Sequence, residues 1–271
     1  MTGCRLALLA GVLVLAVAAS GCNRLKARDH LNKGVNAFRN AQFQEAIDHF
    51  QQAVALDPTL ENGRLYLAMS YFQQYAPGGE SPENIKIGHQ AVNAFLDVLN
   101  LDPKNTTALA TIGQIYYNMK DFDKAKEYQK KRLDIEPNNP EPYYWIGVID
   151  WAICFKNDAA VRSSDPKLST PNAQGALLVL PAKLQDGLRQ QNAPLVEEGI
   201  QMLQKAIDLK PNYDEAMAYL NLMYRQKAEI DGNDKTRMGE LKMADDWMQK
   251  AMNTRKTNAV QAAAHGNTAT Q

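Results

Sequence analysis

The chain has 271 residues, of which 45% are hydrophobic and 22% are charged, a balance typical of folded globular proteins. Lys and Arg together number 30, as do Asp and Glu, so the formal net charge is zero. This balance gives no electrostatic reason to expect a nucleic-acid partner, because proteins that bind nucleic acids usually carry clustered excess positive charge.

The N-terminal 21 residues differ from the rest of the chain. Arg5 is the only charged residue among them, and Leu6–Ala19 is a continuous run of small and aliphatic residues. Fourteen helical residues rise about 21 Å, which is short of the ~30 Å hydrocarbon core of a bilayer. The run therefore predicts a signal peptide over residues 1–21 rather than a membrane span.

Ala19-Ser20-Gly21-Cys22 closes this run and resembles the lipobox of bacterial lipoproteins. The resemblance implies cleavage before Cys22 and acylation of its thiol and new amine, and several acyl chains anchor a protein stably. Asn23, where an Asp would favour the inner membrane, favours the outer membrane facing the periplasm. Residues 22–26 would be a lipidated tether. The alternative is an ordinary secretory signal with a cysteine nearby by chance.

Helical periodicity begins at Ala27. In 27–60, small and aromatic residues recur on one face of two helices, and Pro58 follows the second. In 61–103 the same pattern returns with Pro103 at its end, and 11 additional residues separate its two helices. Ala76–Pro82 has turn composition, and Ser81-Pro82 predicts a helix start with Ser as the N-cap.

Residues 106–137 show the pattern most clearly. The positions that share one face of each helix are Leu109, Ile112, Gly113, Tyr116, Ala125, Tyr128 and Leu133. Pro137 ends the second helix, 34 residues after Pro103. This spacing resembles the tetratricopeptide repeat (TPR), whose signature places Leu-Gly-x2-Tyr, then Ala, then Pro in 34 residues. The resemblance implies an all-α, right-handed superhelical solenoid of about five helix pairs over residues 27–256.

The last two predicted repeats are longer than the signature. Repeat four starts at Pro140, and its second helix is expected at Val196–Leu209, after an insertion of about 153–193. Within this insertion we expect a loop over Asn157–Asn172 and a helix over Ala173–Gln190. Repeat five is predicted to carry a further 11-residue insertion around residues 231–234. The tail, 257–271, has no periodicity and is expected to be disordered.

No arrangement typical of catalysis or metal binding is evident. His30, His49, His89 and His265 have no partner at metal-ligand spacing on one helix face, so no metal, cofactor or enzymatic activity is predicted. Cys154 lies in an apolar helical segment and is expected to be a small core residue.

A binding surface remains as the functional hypothesis. In TPR proteins the first helix of each pair lines a concave groove with side chains that do not serve the core. The aromatic residues at matching positions are Phe38, Phe72, Tyr117, Tyr144 and Trp151. Exposed aromatic residues suit peptide segments of a partner protein, because they bury much area with few rotamers to fix. The insertion in repeat four could instead cover these residues.

The resemblance thus implies a membrane-anchored scaffold or adaptor for protein–protein interaction in the cell envelope, with assembly of envelope complexes as one suggested role. Two alternatives remain. The chain could be a self-associating structural spacer, or the insertion could complete a small-ligand pocket with Tyr144 and Trp151. The sequence leaves the oligomeric state open.

Overall fold

The computed structural model describes residues 22–171 and 178–268, with side chains to residue 264, so the predicted signal peptide lies outside the described residues. Within these ranges the chain is helical and has no β-strand, which confirms the predicted all-α class. The helices are α1 (22–39), α2 (Phe43–Leu56), α3 (Glu61–Gln74), α4 (Pro82–Leu101), α5 (Thr106–Asn118), α6 (Phe122–Ile135), α7 (Pro140–Arg162), α8 (Pro166–Ser169), α9 (Ala182–Leu209), α10 (Asp214–Ile230) and α11 (Asp234–Thr268).

The chain divides into two compact units. Unit 1 ends at Asp121 and contains α1 to α5, whereas unit 2 begins at Phe122 and contains α6 to α11. No helix in the part of the chain that the structure describes is both long and apolar enough to span a bilayer.

Unit 1 begins with a closely packed helix pair. A Cβ on Gly34 of α1 would lie 2.5 Å from Cε1 of Phe50 on α2, and Phe50 is fully buried together with Ala46. A glycine is therefore required where the two helices cross, because any larger residue would displace the Phe50 ring. Residues 22–26, the predicted tether, already belong to α1.

The turns after α1 and α5 share one geometry. Ala41 and Lys120 both have positive φ, at 56° and 63°. In each turn the N–H of the following residue donates to a carbonyl five residues back, at 2.9 Å. This left-handed residue at the helix end satisfies a carbonyl that the helix would otherwise leave unpaired.

The insertions in repeats two and five are mostly helical, which corrects the prediction of long inter-helix insertions. Between α3 and α4 the loop has only residues 75–81, and α4 itself is 20 residues long, against 14 for α6. Between α10 and α11 only residues 231–233 are outside a helix. The Ser81 N-cap is confirmed, since its side chain accepts from the N–H of Asn84 and Pro82 follows at the first helical position.

The loop of repeat four begins later in the chain than predicted and also ends later. α7 continues to Arg162, so Asn157 is helical, and α9 begins at Ala182 and runs through Pro194 to Leu209. Proline inside a helix costs about 3 kcal/mol. Here the free energy gained by burying the apolar face of α9 outweighs that cost. This face includes Leu188, Val196 and Leu203. Residues 173–177 of the predicted helix lie outside the described residues, and 178–181 are not helical.

The C-terminal segment also differs from the prediction. α11 continues to Thr268, although the sequence predicts a disordered tail from residue 257. The first part of this extension is held to α10, because the side-chain amide of Asn258 donates to the carbonyl of Asn212 and to Asp214, both at 3.0 Å. Beyond it, Ala, Gln and Val extend the helix, and Ala and Gln have high helix propensity. A polar helix face without apolar periodicity explains why the pattern gave no helical signal.

Candidate functional site

An aromatic cluster lies on α7 and α10 in unit 2. Tyr144 and Trp151 are seven residues apart, so two helical turns place them on the same face of α7. Tyr219 of α10 joins them, with its ring centroid 5.7 Å from that of Tyr144 and 5.4 Å from that of Trp151, both edge to face. Phe155 stacks on Trp151 at 5.4 Å. These four residues are called the aromatic patch below.

The aromatic patch is only partly covered by the protein. Phe155 is 54% exposed, and the other three members are half-buried against the core of unit 2. Burial raises the pKa of the Tyr219 hydroxyl, which therefore stays protonated and can donate a hydrogen bond. The patch thus combines apolar ring surface with phenol groups, a chemistry that suits apolar side chains and carbonyl groups of a peptide.

The described part of the repeat-four insertion is anchored beyond the aromatic patch. Arg162, seven residues after Phe155, donates through Nη1 to the carbonyls of Leu168 and Leu178 at 3.0 and 2.9 Å. The side chain of Leu180 is buried in the core of unit 2. The insertion is therefore held at the C-terminal end of α7, and Phe155 keeps more than half of its surface exposed.

The same arginine carries a buried ion-pair network. Arg162 is almost completely buried; its Nε lies 3.1 Å from both carboxylate oxygens of Asp158, and its Nη2 donates to Glu229 of α10. Burial raises the pKa of Glu229 in spite of the nearby Arg162 charge. Carboxylates from two helices therefore balance the charge of Arg162. The same guanidinium group donates the hydrogen bonds that hold the carbonyls of the loop.

The three groove residues predicted in unit 1 lie on different helices. Phe38 of α1 is half-buried, and its ring meets those of Phe43 at 5.6 Å and Tyr66 at 5.9 Å. Phe72 of α3 and Tyr117 of α5 are also half-buried. Phe38 therefore contributes to packing among the first three helices, in addition to any role at a surface.

Two members of the aromatic patch were absent from the sequence-based site. Phe155 lies one helical turn after Trp151, and this spacing could have identified it had the insertion not been predicted to begin at about residue 153. Tyr219 lies outside the positions that the repeat pattern assigns to the groove. Only the packing of α10 beside α7 brings it to Trp151.

Unit 1 contains a pocket of about 240 Å³ beside the loop 75–81. Among the residues that line it are Tyr75, Ile85, His89, Asn118, Met119 and Lys120. The Asn118 Nδ2 is buried and has no hydrogen-bond acceptor. Asn84 fixes the loop, since its side-chain amide bonds the N–H and carbonyl of Ala76 and the carbonyl of Gly79, each at 2.8 Å. The pocket is therefore bounded by an ordered loop.

The two described cysteines differ in environment. Cys22 is exposed, whereas Cys154 is buried with its Sγ 4.0 Å from the carbonyl of Asn192. Burial raises the pKa of the Cys154 thiol to about 12, so this thiol is protonated and unreactive. Among the described residues, no group of three or more His, Cys, Asp or Glu side chains is arranged to hold a metal ion.

Comparison with known proteins identifies the repeats. Family models described as tetratricopeptide repeat match residues 27–60 and 106–139, so these two segments are TPR repeats. A curated relative is the Hsp70-Hsp90 organizing protein of Triticum aestivum, 28% identical over 115 residues, which is 42% of this chain and 18% of that protein. Another is the photosystem I assembly protein Ycf3 of Rippkaea orientalis, 23% identical over 151 residues, which is 50% of this chain and 83% of that protein.

Solved structures share the fold. MamA 41-end from Desulfovibrio magneticus RS-1 is 17% identical with a TM-score of 0.55, over 86% of this chain and 96% of that one. YrrB, described as a TPR protein with an unusual peptide-binding site, is 11% identical with a TM-score of 0.52, over 85% of this chain and 90% of that one. At these identities the likeness concerns the fold alone. The chain spans about a fifth of the length of the first curated relatives it matches.

Proposed function

We propose that this chain is a non-catalytic scaffold that binds a segment of a partner protein at the aromatic patch. The TPR repeats support a role in protein interaction, and the names of two relatives describe organizing and assembly proteins. The observation that carries the proposal is the exposure of Phe155 beside Trp151 and Tyr219, on first helices of two successive repeats.

The chemistry of the aromatic patch favours a peptide with an apolar or aromatic side chain. An aromatic side chain of the bound peptide would cover Phe155 and extend the edge-to-face packing of Trp151 and Tyr219. Aromatic pairs contribute about 0.5–1.5 kcal/mol beyond the area they bury. Because the rings already contact one another, little side-chain entropy remains to be lost on binding.

A charge at the rim of the aromatic patch tests this proposal. Phe155→Glu should reduce the recovery of the dominant co-purifying partner at least tenfold, because the carboxylate would lose water on binding without gaining a partner. Met238→Glu is the matched control, since Met238 is 71% exposed on α11, outside the aromatic patch. Equal recovery with both variants, at unchanged circular dichroism, would contradict the proposal.

We further propose that lipid on Cys22 holds the scaffold at a bacterial envelope, at the outer membrane facing the periplasm. α1 already includes residue 22, and it packs into the first repeat at the buried Ala27. A lipid on Cys22 would therefore hold the first repeat close to the membrane surface. Mass spectrometry of the mature N-terminus should find an acylated cysteine, and Cys22→Ser should release the protein from the membrane fraction. An unmodified N-terminus would contradict lipid anchoring.

A small-ligand function is the second candidate, and the pocket beside the ordered loop 75–81 favours it. The pocket concerned is the one lined by Tyr75 and Met119 in unit 1, rather than one completed by Tyr144 and Trp151. A ligand at 100 times its dissociation constant would stabilise the protein by ~2.7 kcal/mol, which a thermal-shift panel of metabolites would detect. A self-associating spacer would instead show a mass that rises with concentration in sedimentation.

A further inference from the structure

One side of α11 carries a row of apolar side chains that remains accessible to solvent. Leu241, Met248, Met252 and Ala259 follow one another at steps of seven or four residues, so they lie on one side of the helix. Met248 is 36% exposed and Met252 is 51% exposed, and Ala259 is exposed as well. These four residues are called the α11 stripe below.

The α11 stripe lies apart from the face of α11 that packs on α10. That face carries Ala244, Trp247 and Ala251, which are all buried, and it is about 90° round the helix axis from the stripe. Among the described helices, α10 is the main neighbour of α11. The outer face of an end repeat in a solenoid is normally polar, whereas this one has methionines at its centre. Flexible methionine side chains suit a surface that packs against another chain.

Two opposite charges border the α11 stripe on the side away from α10. Asp245 precedes the two methionines and Lys256 follows them, and the 11 residues between these positions span about 16 Å of helix. Arg225 of α10 donates to Oδ1 of Asp245 at 2.7 Å, and the side chain of Asp245 is still 70% exposed. Lys256 is exposed and forms no ion pair within the part of the chain that the structure describes. The stripe therefore has a carboxylate near one end and an ammonium group near the other.

A second copy of α11 complements these charges when it runs in the opposite direction. With a two-fold axis between positions 250 and 251, each Asp245 lies opposite Lys256 of the second copy, so two identical ion pairs form. Met248 and Met252 of both copies then meet around the axis. A parallel arrangement would place like charges opposite one another, so the charges favour the antiparallel one.

The C-terminal part of α11 gains a neighbour in the same arrangement. α11 has 35 residues whereas α10 has 17, and Asn258 already bonds Asp214, the first residue of α10. The residues after Asn258 therefore extend beyond α10, and Val260 is 64% exposed. Helices without tertiary packing are marginally stable in water. In the antiparallel pair, Val260 lies opposite Leu241 of the second copy, which would cover part of this extension.

We propose that this chain forms a symmetric dimer in which the α11 stripes of two copies pack antiparallel. A contact made by one helix of each copy is at the small end of specific interfaces, so we expect a dissociation constant in the micromolar range. The α11 stripe and the aromatic patch share no residue, so the dimer is compatible with the scaffold. One consequence rests on the proposed function: a dimer with two aromatic patches would bind a partner with two suitable segments more tightly than a partner with one.

Sedimentation equilibrium of the full chain, in a density-matched detergent, tests the dimer. The average mass should rise from one chain to two between about 1 and 300 µM and stop there, because a two-fold interface is closed. Met248→Glu/Met252→Glu should weaken dimerisation at least tenfold, because its carboxylates would lose water at the interface without gaining a partner. Met243→Glu is the matched control, since Met243 is 41% exposed on nearly the opposite side of α11.

A charge exchange tests the antiparallel orientation. Lys256→Asp alone should weaken dimerisation roughly fivefold, because it places two carboxylates opposite each other at both ends of the interface. Asp245→Lys/Lys256→Asp should restore the affinity, because opposite charges face each other again.

Two results would overturn the dimer. These are a mass of one chain at every concentration, and equal dimerisation of Met248→Glu/Met252→Glu and Met243→Glu. Failure of the charge exchange to restore affinity would overturn the antiparallel arrangement. None of these results bears on partner binding at Phe155, so failure of the dimer and failure of the aromatic patch are distinguishable.

Discussion

Two glycines in unit 2 show how single residues determine packing. At Gly147 of α7 a Cβ would lie 2.5 Å from the Cγ of Leu203, which is fully buried on α9. At Gly187 of α9 a Cβ would meet no atom within 4 Å. The first glycine is required by contact between helices, and the second only weakens its own helix.

The two substitutions to alanine should therefore have opposite effects on stability. Gly147→Ala should lower the free energy of unfolding by about 1–3 kcal/mol, because it overpacks a filled core. Gly187→Ala should raise it by about 0.5–1 kcal/mol, because it reduces the entropy of the unfolded chain. Urea denaturation followed by circular dichroism measures both. A stabilising Gly147→Ala would contradict the packing described here.

A buried charge network in unit 2 links three helices. Lys126 of α6 donates to Asp150 of α7 at 2.5 Å and to Glu198 of α9 at 2.6 Å, and Lys130 pairs with Glu198 at 2.9 Å. Burial raises the pKa of Asp150 to about 6 in spite of Lys126, and its Oδ2 has no partner. Burial alone would lower the pKa of Lys126, but the two carboxylates raise it.

The raised pKa of Asp150 fixes the sign of a pH effect. The folded protein binds this proton more tightly than the unfolded chain does, so the contribution of Asp150 to stability falls as pH rises from about 4 to about 6. A shift of roughly two units corresponds to about 3 kcal/mol. The stability of wild type relative to Asp150→Asn should therefore decrease by about 1–3 kcal/mol between pH 4 and 7.

Denaturation at both pH values checks this prediction. Asp134→Asn is a suitable control, because Asp134 is an exposed carboxylate on the same helix as Lys126. Glu198 is present in the wild type and in both variants, so the effect of its own titration largely cancels when their stabilities are compared. A constant difference between wild type and Asp150→Asn across this range would show that Asp150 titrates alike in folded and unfolded chains.

At the scale of elements, Arg162 determines where the repeat-four loop lies. Arg162→Met should leave the carbonyls of Leu168 and Leu178 and the carboxylate of Glu229 without their donor. Breaking a buried pair in this way costs about 3–5 kcal/mol locally. Hydrogen exchange of the backbone amides should accelerate at least tenfold in 163–171 and 178–181.

Lys156→Met, at an exposed site on α7, is the control and should leave the exchange rates of these residues unchanged. Slow exchange retained in Arg162→Met would mean that packing of Leu180 alone fixes the loop.

The sequence predicts helix pairs better than it predicts insertions. Gly34 and Ser81-Pro82 carry local signals, close packing and helix capping, and the structure has both. The proline spacing shows that repeats two and four are longer than 34 residues, but it cannot divide the additional residues between loop and helix. Pro194 illustrates the reason, because tertiary burial of the α9 face overrides the local cost of a proline.

At the scale of the whole molecule, the candidate sites depend on contacts between helices. The repeat pattern placed Tyr144 and Trp151 on a surface, and they lie together in the aromatic patch. The pattern could not identify Tyr219, which reaches Trp151 only through the packing of α10 beside α7.

Photocrosslinking from position 155 in the lipidated protein, inside the cell, tests the central claim most directly. Phe155 is the most exposed member of the aromatic patch, so a benzoyl-phenylalanine there disturbs little packing. The scaffold account predicts one dominant crosslinked protein, absent when the same probe replaces Met238 of α11. Crosslinks from position 155 only to residues of the chain's own repeat-four insertion would contradict it, because the aromatic patch would then already be occupied.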